Sequence, residues 1–551
     1  MGRYEKAART LEEWDRLLGD ERGPLYDRLR EIYGDDEPGL REKAGLLRRA
    51  LAGFADAFGA GGKVILVRSA GRVNLMGMHV DHRGGWVHPI AIREVLTVAR
   101  ARTDDRVAAC NAESERFPRR EFSISGELPA EPIPDWDLWT QEALKERVTR
   151  GEAGDWINYV KSSALYLQET NKNESGGFDP VLRGMDFFVM GNLPIAAGLS
   201  SSSSIVVAAL DAMICVNELT LTDSEYIDAC AIGEWYVGTR GGAGDHAAIK
   251  FARRGSVCHI GSHPLTTEVL PLPDGYTILL CNSLVEAKKT EGAKNFFNNR
   301  IGSYTIGQPL IKKHFPEHAE KIGHLRDVDP ETLGVDDAVV YEMIKSLPEV
   351  MDRAEALAAL PESRAELEKI FSTHDEPPGG YQVRQVCAYG ITECLRSRIA
   401  GDTLREGDLA GFAETINVSH DGDRVSRYEN GTSTPTDTRV KDELLDRLIH
   451  DSRSNDPERV ERSRLFRLPG GYAGSTPEID QIVDTVLTIP GVAAAGLVGA
   501  GLGGCAVVLC EEKSAPDVIQ SLTESYYHPR GLEPAAEVID PVGGAGVIEG
   551  G

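Results

Sequence analysis

The sequence predicts an α+β protein of two domains preceded by a helical extension, and three observations lead there. A chain of 551 residues is too long for one core. Its first 58 residues place apolar side chains at helical spacing (Leu11, Trp14, Leu17, Leu18, then Leu40, Leu47, Leu51, Phe54). From Lys63 onward, short strand-like runs alternate with helical ones, and one strand is joined to its helix by a glycine- and serine-rich turn.

The extension, residues 1–58, is expected to pack on the main body. A first domain is expected over 59–273, with strands at Val64–Val67, Val95–Arg100 and Val107–Ala109 and a helix at Asp155–Lys161. Tyr276–Cys281 reads as the strand that opens a second domain, 274–551. Helices dominate 286–420. Residues 429–470 are rich in Asn, Thr, Pro, Asp and Arg and read as an exposed insertion. A helix at Glu478–Leu487 and a strand at Cys505–Cys510 follow. Trp136 and Trp139 fall in an acidic, proline-rich stretch that reads as a loop.

Composition narrows the function classes. Against 60 basic residues stand 86 acidic ones, a net charge of −26, which argues against a general nucleic-acid or anionic-membrane surface. An anionic substrate would need a locally basic pocket. The nine cysteines are scattered without a CxxC pair, as buried free thiols of a reducing compartment would be. No apolar signal core and no run of membrane-spanning length is seen, so a cytoplasmic protein is expected. Nothing in the sequence speaks to oligomeric state.

The turn between Met185–Met190 and Ile205–Met213 reads Gly-Asn-Leu-Pro-Ile-Ala-Ala-Gly-Leu-Ser-Ser-Ser-Ser-Ser, residues Gly191 to Ser204. A helix N-terminus there offers unpaired N–H groups and the positive end of a dipole to a polyphosphate. It is neither a Walker A loop nor a dinucleotide turn. Two further glycine-bearing segments are Gly71-Arg-Val-Asn-Leu-Met-Gly-Met-His-Val-Asp-His-Arg-Gly-Gly85 and Gly499-Ala-Gly-Leu-Gly-Gly504.

In this order the three segments resemble the motifs of the galactokinase branch of the GHMP small-molecule kinases. Smaller echoes are Gly238–His246, Cys281–Ser283, Gly407–Leu409, Asn417–Asp421 and Ser475–Asp480. The resemblance covers about residues 63–300 and 380–512. It implies an N-terminal domain like ribosomal protein S5, a ferredoxin-like C-terminal domain, and transfer of the γ-phosphoryl of Mg-ATP to a sugar's anomeric hydroxyl. Small-molecule sugar and ATP are the implied partners, with magnesium as cofactor.

By the same resemblance Asp245, in Gly242-Ala-Gly-Asp245, is the catalytic base and Arg72 the catalytic arginine. Read alone, Asp245 would be an Asx turn capping the next helix. The phosphate loop would use Gly198, Leu199, Ser200, Ser201, Ser202 and Ser203. Ser202 would also contact magnesium, together with Glu234, which is displaced by one position from the family's glutamate and so leaves the acidic ligand in doubt. His79, Asp81 and Gly242 would meet the sugar. A metal site at His79-Val-Asp-His82 is the rival reading, weakened by the lack of further ligands at suitable spacing. Asn74 and Asn158 are expected to hold loops together.

The chain departs from the family at Met78, where a glutamate reads the sugar near C6, and at His82, where a tyrosine stands. A buried hydroxyl left without its acceptor costs about 1–3 kcal/mol, which penalises galactose itself. Two carboxylates about 4 Å apart would repel by about 4 kcal/mol at an effective dielectric of about 20, so losing the glutamate permits a uronic acid. Plant galacturonokinases resemble the chain here and at Gly238-Thr-Arg240, which makes Arg240 a candidate carboxylate partner. A 6-deoxy sugar, a pentose and galactose itself stay open. So does a catalytically silent sugar and ATP sensor, against which stand Ser202 and Asp245. Mevalonate- and homoserine-type kinases lack the signature around His79 and Asp81.

Overall fold

The computed structural model describes residues 2–172, 181–193, 199–238, 243–286 and 291–550. Four helices form the extension: α1 (Arg3–Ala7), α2 (Leu11–Gly19), α3 (Pro24–Tyr33) and α4 (Glu37–Phe58). Their starts are encoded locally. Thr10 and Glu13 form a reciprocal capping box on α2, and the Asp36 side chain accepts from Gly39 N at the head of α4. The strands in chain order are β1 (Ile65–Asn74), β2 (Trp86–Val87), β3 (Pro89–Ala101), β4 (Arg106–Asn111), β5 (Arg120–Ser123), β6 (Met185–Gly191), β7 (Ser256–Gly261) and β8 (Thr266–Pro271). After them come β9 (Tyr276–Asn282), β10 (Ser426–Glu429), β11 (Thr432–Pro435), β12 (Val492–Leu497), β13 (Cys505–Glu511), β14 (Ala536–Ile539) and β15 (Gly546–Ile548).

A six-stranded sheet runs β15-β1-β3-β6-β4-β5 and is antiparallel except at β4–β6. Alternate residues of β1 divide between two cores, as a pleated strand covered on both faces must. Leu66, with Leu96 and Val98 of β3, packs against Trp14, Leu47, Leu51 and Phe54 of the extension. Ile65, Val67 and Val73 join the main core under helix Ser201–Val216. The extension is thus the cover of one sheet face, and the Trp14 indole donates to Val64 O at 2.9 Å.

A four-stranded antiparallel sheet runs β12-β13-β9-β14. Helices Pro477–Val486 and Ala515–Leu522 cover one face, while Ile278, Leu280, Val507 and Leu509 of the other face enter the same main core as β1. The strand β15, far from β1 in sequence, pairs with it through Leu66↔Ile548 and Val67↔Val547. Helices of the second half of the chain, among them Glu291–His314, Asp337–Lys345 and Val383–Glu406, build a separate core.

One local expectation is refined and one corrected. Residues 429–470 are largely exposed, as expected, but the segment is anchored by Leu445 and Leu465, buried at 0% and 1% exposure in the helical core. These apolar anchors are sparse among polar residues, which hid the burial. Trp136 and Trp139 open helix Trp136–Arg150, capped by Asp135, rather than a loop. Trp136 packs edge-on to Tyr166 and Trp139 stacks near Tyr236, so both are packing residues. Among the described residues no helix is long and apolar enough to cross a membrane. All nine cysteines are free thiols, eight of them buried.

Because Trp14 is fully buried between the extension and the sheet, Trp14→Ala should lower stability by about 3–5 kcal/mol. The measurement is the shift of the denaturant midpoint; an unchanged midpoint would show that the extension does not support the sheet.

Candidate active site

A break in the β1–β3 register between Ser69 and Gly71 re-aims the end of β1. There Arg72 reaches Asp245 in the first turn of helix Gly244–Phe251, with Nε 2.7 Å from Oδ1 and Nη2 2.8 Å from Oδ2. This is the two-pronged geometry in which a guanidinium fixes a carboxylate's plane as well as its charge. Ser200 Oγ donates to Asp245 Oδ2 at 2.5 Å. The helix has no side-chain N-cap, so Asp245 is not the capping residue that its neighbours alone would suggest. Burial pushes the Asp245 carboxyl up, but Arg72 and the Ser200 hydroxyl outweigh it and hold the pKa below the ordinary carboxylate value.

The serine turn is fastened to the same strand. Arg72 N donates to Leu199 O at 3.1 Å, and Ser204 Oγ bonds both Ala70 O and Ser200 O. A side chain at Gly71 would place its Cβ 2.9 Å from Leu199 O and 2.3 Å from Leu193 Cδ1, so only glycine lets the turn lie this close. Ser200 takes a left-handed φ of 55° before helix Ser201–Val216, whose N-terminus has no side-chain cap. Ser201 and Ser202 are half-buried in its first turn, whereas Leu199 and Ser203 are buried at 1% and 5% exposure. Only the backbone of those two can face a phosphate. Gly198, Gly242 and Arg240 lie outside the described residues.

The sugar signature is held from the helical region. His79, at a φ of 62°, stacks on Tyr472 with ring centroids 3.8 Å apart, and its Nε2 lies 3.2 Å from Asp423 Oδ1. Asp423 is fully buried and also accepts from Tyr389 Oη and Gly474 N. Asp81 opens a short turn in which His82 Nδ1 lies 3.2 Å from its Oδ1. Burial raises the Asp81 carboxyl, His82 lowers it, and the balance holds it down at about 2. Met78 is buried, its N donating to Glu393 Oε1 at 3.0 Å and its sulfur 3.5 Å from Asn74 Nδ2.

The third glycine turn backs this group from the other half of the chain. Leu502 N donates to Gly474 O at 2.8 Å, and a Cβ on Gly474 would lie 3.4 Å from His79 Nε2. Asn74 bonds Gly77 O and His88 N, and Asn158 bonds Glu152 O; both hold loops, as expected. Two sequence echoes meet each other, His420 Nε2 lying 3.4 Å from Asp480 Oδ1.

Glu234 does not stand free for a metal. Its Oε2 lies 2.9 Å from His246 Nε2, next in sequence to the base. Among the described residues no three His, Cys, Asp or Glu side chains converge to hold a metal ion, and His79 and His82 face Asp423 and Asp81 instead of each other. The hydroxyl of Ser202, at an uncapped helix start, does suit magnesium, which takes oxygen ligands and most often shares them with nucleotide phosphates. Asp423, Tyr472 and Glu393 escaped the sequence reading; the only signal was the Asn417–Asp421 echo two residues before Asp423.

Residues 158–253 match the GHMP kinases N terminal domain and residues 441–528 the GHMP kinases C terminal family. Together with the phosphate turn, these matches define a GHMP kinase. Residues 52–102 match the galactokinase galactose-binding signature. The galactokinase of Enterococcus faecalis is 24% identical over 479 residues, covering 86% of this chain and 92% of that protein. The galactokinase of a Roseiflexus species is 25% identical over 469 residues, covering 85% and 88%. The fold is similar to the crystal structure of Lactococcus lactis galactokinase complexed with galactose, with a TM-score of 0.62 at 19% identity over 91% of this chain and 99% of that one. The chain thus carries the two GHMP kinase domains and the galactokinase signature and is similar to galactokinases over most of its length.

Removing the guanidinium takes away the largest influence that holds the Asp245 carboxyl down and leaves the Ser200 hydroxyl and His246 against burial. Arg72→Met should therefore raise the Asp245 pKa. With Asp245 in the expected role of base, the acid limb of kcat/KM should move to higher pH. A limb that stays in place would separate Arg72 from the base.

Proposed function

We propose that this protein transfers the γ-phosphoryl of Mg-ATP to the anomeric hydroxyl of a galactose-type sugar. The observation that carries the reading is the Arg72–Asp245–Ser200 cluster beside an uncapped helix N-terminus. Phosphoryl transfer asks a protein mainly for position and charge compensation. Ser202 would contribute its hydroxyl to magnesium, which would neutralise the nucleotide's charge when bound.

The chain's own residues do the rest. Asp245 Oδ2 accepts from both Arg72 and Ser200, while Oδ1 accepts only from Arg72 among the described residues. A carboxylate oxygen takes two donors, so Oδ1 keeps a direction open for the sugar hydroxyl. Asp245 takes that proton as the hydroxyl oxygen attacks phosphorus. A base held below its ordinary pKa suffices where the transition state is loose and the nucleophile's proton leaves late. Arg72 stays fixed on the carboxylate and places positive charge beside the transferring group. His79 and Asp81 orient the sugar, with Asp423 fixing the His79 ring.

The acceptor we favour is altered at C6, and galacturonate before others, because Met78 offers a thioether in place of a carboxylate. Arg240, which the resemblance makes a candidate carboxylate partner, lies outside the described residues. The free cysteines support a cytoplasmic location.

Two measurements test this. Asp245→Asn should lower kcat about 10²–10⁴-fold while nucleotide affinity, by calorimetry, stays within threefold. Normal turnover by that variant would remove Asp245 as the base. Across galactose, galacturonate, arabinose and fucose, kcat/KM should be at least tenfold higher for galacturonate than for galactose; the reverse order would make the protein a kinase of galactose itself.

A further inference from the structure

Arg83 and Arg300 stand out among the charged groups that the reaction above does not use. Arg83 belongs to the sugar signature, two residues after Asp81. Its guanidinium lies over the Tyr304 ring at 5.0 Å, its Nη2 makes a long 3.5 Å contact to Ile301 O, and its Nε is buried without a partner. Arg300 lies in helix Glu291–His314. Its Nε donates to Tyr472 O at 2.7 Å and its guanidinium stacks 4.4 Å over Phe296. Among the described residues neither has an acidic side chain within ion-pair distance.

Of the acids nearby, Asp81 and Asp423 are committed to other groups, and Glu366, which acts on Arg83, is exposed and makes no ion pair with it. Four charges, Asp81, Asp423, Arg83 and Arg300, surround the Tyr472 phenol that packs on His79. Asp423 is engaged by His79, Tyr389 and Gly474 N, and Asp81 by His82. Two largely desolvated cations are left around the tyrosine that stacks on His79. Burial pulls both guanidinium pKa values down, which measures the cost of holding them there unpaired. In a chain of net charge −26, two such groups at one spot are not a general surface property.

We propose that Arg300, supported by Arg83, receives the carboxylate of an acidic sugar acceptor. A guanidinium fork matches a carboxylate in two parallel hydrogen bonds, and such a ligand would discharge the desolvation that a neutral C6 hydroxyl leaves standing. The acceptor is the source of this anion rather than the nucleotide. Arg83 shares its turn with Asp81, and Arg300 bonds the backbone of the tyrosine stacked on His79, whereas the phosphate turn is fastened to Arg72 on β1.

This inference rests on the sugar-kinase reading, and the experiment separates the two. For wild type, Arg300→Gln, Arg300→Lys and Arg83→Gln, kcat/KM is measured for galacturonate and galactose, with ATP affinity by calorimetry. Arg300→Gln should lower the galacturonate-to-galactose ratio at least 30-fold, mainly through KM for galacturonate. Arg300→Lys should recover part of it, and Arg83→Gln should lower it by a smaller factor without dependence on how well Arg300→Gln folds. An unchanged ratio in both glutamine variants overturns the inference, as does loss of ATP affinity with the ratio intact, which would assign the anion to a phosphate. Wild-type turnover of galactose with none of galacturonate also overturns it while leaving the sugar-kinase reading standing. Turnover of no sugar at all removes both.

Discussion

The Arg72–Asp245 pair joins two parts of the chain 173 residues apart, and the geometry of the site follows from it. An ion pair in a partly desolvated setting is a weak source of net stability, because the Coulombic gain is set against lost hydration. Its value here is positional. Arg72 projects from the end of a strand whose register is broken just before it, and the same residue's backbone N–H holds the serine turn at Leu199. One residue thus sets the distance between the carboxylate, the helix N-terminus and the strand that leads on to the sugar signature. In the proposed reaction, holding Asp245 and the serine turn on one anchor reduces the freedom that must be lost when substrates bind.

The second cluster obeys a different logic. His79 is held in a left-handed backbone conformation with its ring between Tyr472 and the buried Asp423. Both partners come from the region after residue 420. The His79 cluster is therefore built by the helical region and the Arg72–Asp245 cluster by the first sheet. The glycine turn at 499–504 touches the former through Gly474. A closed arrangement of both ends requires that all three parts be assembled, which explains why a short turn so remote from the base carries a recognisable pattern.

Much of this was legible in the sequence where the signal is local. Helical spacing in the extension, the strand–serine turn–helix unit and the three glycine segments all correspond to structural elements. The pairing of Arg72 with Asp245 was reached through motif identity, not through spacing. What was not legible is long-range and side-chain specific. His79 meets Asp423 across 344 residues, and no pattern in either neighbourhood announces it. Glu234 sits in the expected stretch, but its carboxylate is turned to His246. Trp136 and Trp139 looked like loop residues because the helix they open follows prolines and acids that its capping Asp135 converts into a start signal. Leu445 and Leu465 were hidden by polar neighbours although they sit in the helical core.

The outermost ribbon of the first sheet, β15, comes from the far end of the described residues. It lies along β1, and the Arg68 guanidinium grips the carbonyls of Gly543 and Gly544 just ahead of it, 475 and 476 residues downstream. The half that carries the serine turn is consequently not an autonomous unit. Severed after residue 273, it would present a bare row of β1 amides and carbonyls, an invitation to stick to another copy. Its sheet can be completed only after a closure that spans nearly the whole polypeptide, so maturation of this half should be among the last events of folding.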